Sequence, residues 1–164
     1  MGLTNLGIVH TIIGVIAIIA ALASYVKYGK INLSVLSGKI YFGGTIFASL
    51  TSLGLSKLGG FNPGHILSLL IIVLVSVAFY LNTRVRGDTK ARFFENFCLS
   101  FSFFLSLVPT VAETFQRVPI GDPLAKDQSD PIIGKTLLTL FILFVAGSVY
   151  QFIRQRRINA SVKK

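Results

Sequence analysis

Two histidines are the side chains best suited to chemistry in this sequence, and their positions would let one site use both. His10 lies near the start of the first long apolar run and His65 opens the third. Imidazole nitrogen ligates haem iron and most transition metals. Two imidazoles on different helices at one depth would therefore hold a b-type haem or a metal ion. Glu113 follows the fourth apolar run on the same side, and Arg117 comes one helical turn later. A glutamate there would complete a metal site or relay protons. Each residue also has a plainer reading. His65 follows Pro63-Gly64 and suits a helix start in the headgroup zone, and His10 can be satisfied by a hydroxyl or a backbone carbonyl. Glu113 and Arg117, spaced i, i+4, suit a surface pair worth roughly 0.3–0.5 kcal/mol. No Walker loop, nucleophile elbow, HExxH or paired-cysteine motif is present, so no residue is assigned a catalytic role.

The elements that must position these groups are apolar helices. The 164 residues are 52% hydrophobic and 13% charged, with a mean hydropathy of +0.73. A soluble domain carries about 25% charged residues, so lipid is the expected solvent. The pattern predicts one all-α membrane domain, 1–164, a polytopic bundle of about five transmembrane helices. The expected spans are 8–26, 40–56, 65–81, 93–112 and 136–153, each near the roughly 17–25 residues a crossing needs. Lys39 and Lys57 bracket the second, with stems long enough to snorkel. Gly59-Gly60-Phe61-Asn62-Pro63-Gly64 marks a tight turn. The segment from Arg117 to Pro131, with three prolines and three aspartates, reads as an external loop.

Charge sets the expected orientation. Lys27, Lys30 and Lys39, then Arg84, Arg86, Lys90 and Arg92, then Arg154, Arg156, Arg157, Lys163 and Lys164 fall on one side. Lys57, Arg117, Lys126 and Lys135 fall on the other. Twelve against four places the N-terminus outside and the C-terminus in the cytoplasm. This distribution at span ends also accounts for the net charge of +10 without nucleic acid. The basic tail is expected to meet anionic headgroups. Met1 to Gly7 lacks Lys and Arg, so no signal-peptide n-region is expected.

Small residues indicate how the helices approach. Gly44, Ala48, Ser52 and Ser56 recur every fourth residue and form a ridge for close contact. His10, Gly14, Ala17, Ala21 and Ser24 share one face of the first span, leaving Ile and Val for lipid. Ser102, Ser106, Pro109 and Glu113 form a polar stripe on the fourth span, a pattern more typical of helix contacts than of a pathway. Glu95 lies one turn from Arg92 and is expected to pair with it. Cys98, the single cysteine, excludes an internal disulfide.

From about His10 to Gln151 the chain resembles a bacterial predicted-membrane-protein family classed only as a domain of unknown function. The matching residues are His10 with Gly14, Lys27 and Gly29, Gly38-Lys39-Ile40-Tyr41, Gly60-Phe61 and His65-Ile66-Leu67-Ser68-Leu69. Beyond the basic loop come Pro109-Thr110, Glu113-Thr114, Arg117-Val118-Pro119 and Pro123-Leu124. The resemblance implies a bacterial cytoplasmic membrane. The family pattern has a His-Arg pair where this chain has Ser34-Val35, and a histidine where Ala91 precedes Arg92. Both missing histidines would lie on the cytoplasmic side. A member with only His10 and His65 would keep an outer layer and lack an electron path across the bilayer.

Two functions follow as expectations. One is a small redox-type module in which His10 and His65 approach each other at the outer leaflet around haem b or a metal. The other is a structural or accessory subunit that packs against a larger membrane complex through its small-residue ridge and Phe-rich face. A transporter is disfavoured, because no span carries a charge deep in its middle and no helix is evidently broken.

Overall fold

The computed structural model describes residues 4–55, 60–85 and 88–162. Each helix begins and ends where local chemistry requires. In α1 (Asn5–Tyr28) the Thr4 hydroxyl accepts the Gly7 N–H at 3.1 Å, and Gly29, at φ 69°, closes the other end. A positive φ is the conformation that glycine tolerates without a Cβ penalty. Helix α2 (Leu36–Ser52) has no side-chain cap at its start. Helix α3 (Pro63–Arg84) begins with Pro63 just inside an Asn62 cap, and α4 (Thr89–Phe115) with an Asp88 cap. In α5 (Pro131–Val162), Asp130 accepts the Ile132 N–H at 3.1 Å.

The five helices form an all-helical bundle, and four of them, α1, α3, α4 and α5, are long and apolar enough to cross a membrane. The chain is a multi-pass membrane protein. Helix α2 has 17 residues, a rise of roughly 26 Å at 1.5 Å per residue. It starts and stops earlier than the expected span 40–56, because the chain leaves α2 through i→i+3 turns at Leu53, Gly54 and Leu55. Ser56 and Lys57, the expected end of that span, lie outside the described residues, as do Gly59, Arg86, Lys163 and Lys164. The other helices outrun their expected spans. Polar residues continue them past the apolar runs, most of all in α5, which carries Arg154, Gln155 and Asn159 on a helix expected to stop at 153.

Consecutive helices pack side by side from α1 to α5, and α4 ties the bundle together. Its first half is interior, with Glu95, Asn96, Leu99, Ser100 and Ser102 buried. Pro109 lies within its second half and the helix runs on to Phe115. The core joins Ala17, Ala20 and Ala21 of α1, Tyr41 of α2, Val75 and Ala78 of α3, and Cys98 and Leu99 of α4. Ile31 and Leu33 of the α1–α2 loop are buried against it. The outward face of α1 is Ile12, Val15, Ile16, Ile19 and Leu22, all exposed. Large aliphatic groups outside and small residues inside is the arrangement of a lipid-facing helix.

Candidate functional site

The bundle has two polar ends, and the expected chemistry fell on the one with the N-termini of α1 and α3. There the Nδ1 atom of His10 lies 3.0 Å from the Ala48 carbonyl and 3.2 Å from the Thr51 hydroxyl. A carbonyl can only accept, so Nδ1 carries a proton, and in the neutral ring Nε2 keeps a lone pair. His65 has the opposite tautomer. Its Nδ1 accepts the Asn62 N–H at 3.2 Å, while Asn62 Oδ1 accepts from Gly64 and His65, which closes a capping box. The His65 proton therefore sits on Nε2, which is buried and makes no hydrogen bond. The Phe61 ring lies 5.4 Å away.

The two rings are thus prepared for different tasks. His10, donating to a carbonyl with its far nitrogen free, has the arrangement common among metal-ligating histidines. His65 would have to give up the proton on Nε2, or break its capping bond, before it could ligate. No hydrogen bond joins the two histidines, and no group of three or more His, Cys, Asp or Glu suited to a metal occurs among the described residues. Glu113 and Arg117 form an ion pair at 2.5 Å, both side chains 42% exposed.

The packing residues fall out unevenly. A Cβ at Gly44 would come within 3.0 Å of Ala17 Cβ, so α1 and α2 touch at this position. Ala48 supplies the carbonyl that His10 engages, and Ser52 Oγ meets Ser68 Oγ of α3 at 2.5 Å. The ridge therefore serves contacts within the bundle. Gly14 takes no part in them, since a Cβ there would meet nothing within 4 Å.

The opposite end, rich in Lys and Arg, holds the larger polar cluster. Glu95 is 1% exposed, pairs with Arg92 at 2.5 Å and accepts from Asn82 Nδ2 at 2.7 Å. The Arg92 guanidinium also donates to the carbonyls of Leu81 and Val85, closing the end of α3. Arg154 of α5 does the same for α1 by donating to the Tyr28 carbonyl. A cation at a helix C-terminus is favourable there. Tyr25 donates to Ser100, which donates to Gln151 Oε1 at 2.9 Å, linking α1, α4 and α5. Tyr41 and Ser102 meet at 2.7 Å, linking α2 to α4. Asn96 donates to Gln155 at 3.3 Å, and Gln155 to Asn159 at 2.9 Å. Asn96 Oδ1 and Ser148 Oγ are buried without partners.

Lys30 stands in the α1–α2 loop above this cluster. Burial pushes its ammonium below its ordinary pKa; Glu95 opposes the shift, and Arg92 and Arg154 add to it. Two cavities open here. One, of about 160 Å³, is lined by Lys30, Asn32, Asn96, Gln151, Arg154 and Gln155 with Tyr28, Gly29 and Ile158. The other, of about 470 Å³, is an apolar groove between α4 and α5.

Sequence reasoning anticipated the Arg92–Glu95 pair and missed most of its surroundings. Gln151 and Gln155, one turn apart at the end of an apolar run, were the available signal. No family model, curated protein or solved structure matches the chain.

Proposed function

We propose that the protein is a structural or accessory subunit of a membrane assembly. The observation that carries this reading is the use made of its polar interior. The buried hydroxyls, amides and charges mostly bond to one another across helices, as in Tyr25–Ser100–Gln151, Tyr41–Ser102 and Arg92–Glu95–Asn82. Groups whose hydrogen bonds are closed within the bundle are not free to ligate a metal. The Ser102, Ser106 and Thr110 hydroxyls donate to carbonyls of α4 itself, which leaves no relay along that helix. The small-residue ridge and most phenylalanines of α4 are also used inside the bundle, and α5 is the least buried of the four long apolar helices, so its outer side is the face assigned to a partner. There Leu138, Ile142 and Val145 are exposed.

A photo-crosslinking residue at Leu138 or Ile142, introduced into the full chain in its native membrane, should trap one discrete protein adduct. Adducts with lipid alone would count against the accessory reading.

A redox module remains the second reading, favoured by the free Nε2 of His10 beside its carbonyl-bound Nδ1. It requires the purified protein to show a Soret band or bound metal that disappears in His10→Ala. We further propose a bacterial cytoplasmic membrane with the N-terminus outside, and kinship with the family of unknown function that the chain resembles. The basic asymmetry supports the orientation. Impermeant labelling of cysteines introduced at Asn5 and Asp88 tests it, with Asn5 alone expected to react in intact cells.

A further inference from the structure

The two cavities at the basic end are neighbours. Asn96 and Gln151 line both, so the polar cleft and the apolar groove share a wall. The cleft presents two cations, Lys30 and Arg154, and neither has a carboxylate within ion-pair distance among the described residues. The one acidic group nearby, Glu95, is bound to Arg92 and Asn82. Arg154 uses one guanidinium nitrogen on the Tyr28 carbonyl and keeps other N–H groups for a ligand. The groove is walled by phenylalanines, Phe93, Phe94 and Phe97 of α4 and Phe152 of α5. Ser148 also lines it, six residues before Arg154 on α5, and its buried hydroxyl lacks a partner.

We propose that this composite cavity binds one anionic phospholipid, its phosphodiester between Lys30 and Arg154 and an acyl chain in the α4–α5 groove. The occupant follows from charge and depth together. An unneutralised pair of cations calls for an anion, and a guanidinium with free N–H groups suits phosphate oxygens. The cleft lies at the basic end of the helices, the level at which headgroups lie, and the groove runs from there toward the bundle's middle along the lipid-facing seam. A neutral detergent or a free inorganic anion satisfies only one half of the cavity. The inference stands on the cavities and does not depend on the accessory-subunit reading.

Native mass spectrometry of the full chain, released from neutral detergent micelles, tests the assignment. Dioleoylphosphatidylglycerol, dioleoylphosphatidylcholine and inorganic phosphate are titrated separately. One phosphatidylglycerol should be retained at concentrations where phosphatidylcholine is not. Lys30→Gln should weaken that binding about fivefold, the effect of one cation near a charged surface, and Lys30→Gln with Arg154→Gln should weaken it further. Val149→Trp, which fills the groove without touching the cations, should weaken it as well. Arg156→Gln with Arg157→Gln removes the same charge from the tail and should leave single-lipid retention intact. If Arg154→Gln unfolds through loss of the Tyr28 contact, Lys30→Gln and Val149→Trp decide the matter. Equal retention of phosphatidylcholine, equal loss in the tail variant, or inorganic phosphate bound as tightly as phosphatidylglycerol would each overturn the proposal. The last result would mark a plain anion site.

Discussion

The contacts among α1, α2, α3 and the first half of α4 differ in kind from the seam between α4 and α5. In the first region small residues dominate, Ala17 against Gly44, Ala21, Ser24 and Ala78, beside one Phe42–Phe79 stack, with polar cross-links at Tyr41–Ser102 and Asn82–Glu95. In the second they are mainly phenylalanines, with the Ser100–Gln151 and Asn96–Gln155 hydrogen bonds confined to the basic end. Phe97, Phe101 and Phe104 of α4 meet Phe141 and Phe144 of α5 at centroid distances of 5.4–6.0 Å, and Phe93 meets Phe152 at 4.7 Å. Small residues let helix backbones approach, so hydrogen bonds can be made and voids closed. Rings hold helices apart and leave a groove between them. The same membrane thus contains a specified half and an adaptable one.

Breaking the specified half should cost most. Arg92→Ala leaves Glu95 buried without its cation and opens the end of α3, and should destabilise by about 3–5 kcal/mol. Unfolding in mixed detergent–SDS micelles measures it. Arg92→Met combined with Glu95→Leu should recover much of that loss, because an uncompensated charge costs more than an absent pair. A double variant as unstable as the single one would show that closing the carbonyls of Leu81 and Val85 matters more than the ion pair.

Next come the points of closest approach. A Cβ at Gly38 would run into the Asn32 carbonyl and lie 2.8 Å from the Leu33 nitrogen, both of them backbone. Backbone cannot rotate away, so Gly38→Ala should cost about 3 kcal/mol. Gly44→Ala has one tight contact, Ala17 Cβ at 3.0 Å, with the backbone at 3.6 Å or more, and should cost about 1 kcal/mol. Gly14→Ala, with nothing within 4 Å, should be silent in the same assay. A Gly14→Ala penalty as large as that of Gly38→Ala would mean that another helix lies against it in the membrane.

The aromatic seam should tolerate more. Removing a phenylalanine from a water-excluded core costs about 3–5 kcal/mol. Much of that is transfer from water, a term that vanishes where lipid tails replace the ring. Phe144→Ala should therefore cost about 1 kcal/mol, comparable to Tyr41→Phe, which removes one interhelical hydrogen bond. A loss near 4 kcal/mol for Phe144→Ala would show that the seam is as specified as the rest of the bundle.

How much of this could be read in advance depended on the kind of interaction. The membrane helices were legible because apolar runs bounded by Lys and Arg are properties of single segments. The Gly44–Ala48–Ser52 ridge was legible for the same reason, since its spacing lies within one helix. The Arg92–Glu95 and Glu113–Arg117 pairs are one turn apart and therefore local. The interhelical cluster was not legible. Whether Tyr25 reaches Ser100, or Asn82 reaches Glu95, depends on helix rotation and depth, and no spacing along the chain encodes those. The tautomers of His10 and His65 were hidden likewise. One depends on a carbonyl of α2, the other on a cap bond whose geometry forms only when Asn62 folds back over its own helix start.

The smallest expected effect lies at the end of the seam, in the loop between α4 and α5. Ser129 donates to the Asp127 carboxylate from its hydroxyl at 2.6 Å and from its backbone at 2.7 Å. The hydroxyl is the largest cause, and with the Ser129 and Asp130 backbone it holds the Asp127 carboxyl below its ordinary 3.8, against the opposing effect of desolvation. A carboxyl with a depressed folded pKa adds stability that is fully present above its unfolded value and disappears as pH falls through the folded one. The window therefore lies below about pH 4, and at neutral pH the interaction is complete. Ser129→Ala removes the hydroxyl bond and leaves the backbone N–H, so the Asp127 pKa should rise part of the way toward 3.8. Side-chain carboxyl shifts followed by NMR in micelles would show it. The group is fully exposed, so global unfolding at pH 7 should not register the change. A measurable loss of stability there would mean that this loop, with Ala125 buried and its N–H bonded to the Phe115 carbonyl at 2.9 Å, fixes α5 against α4 more firmly than the phenylalanines do.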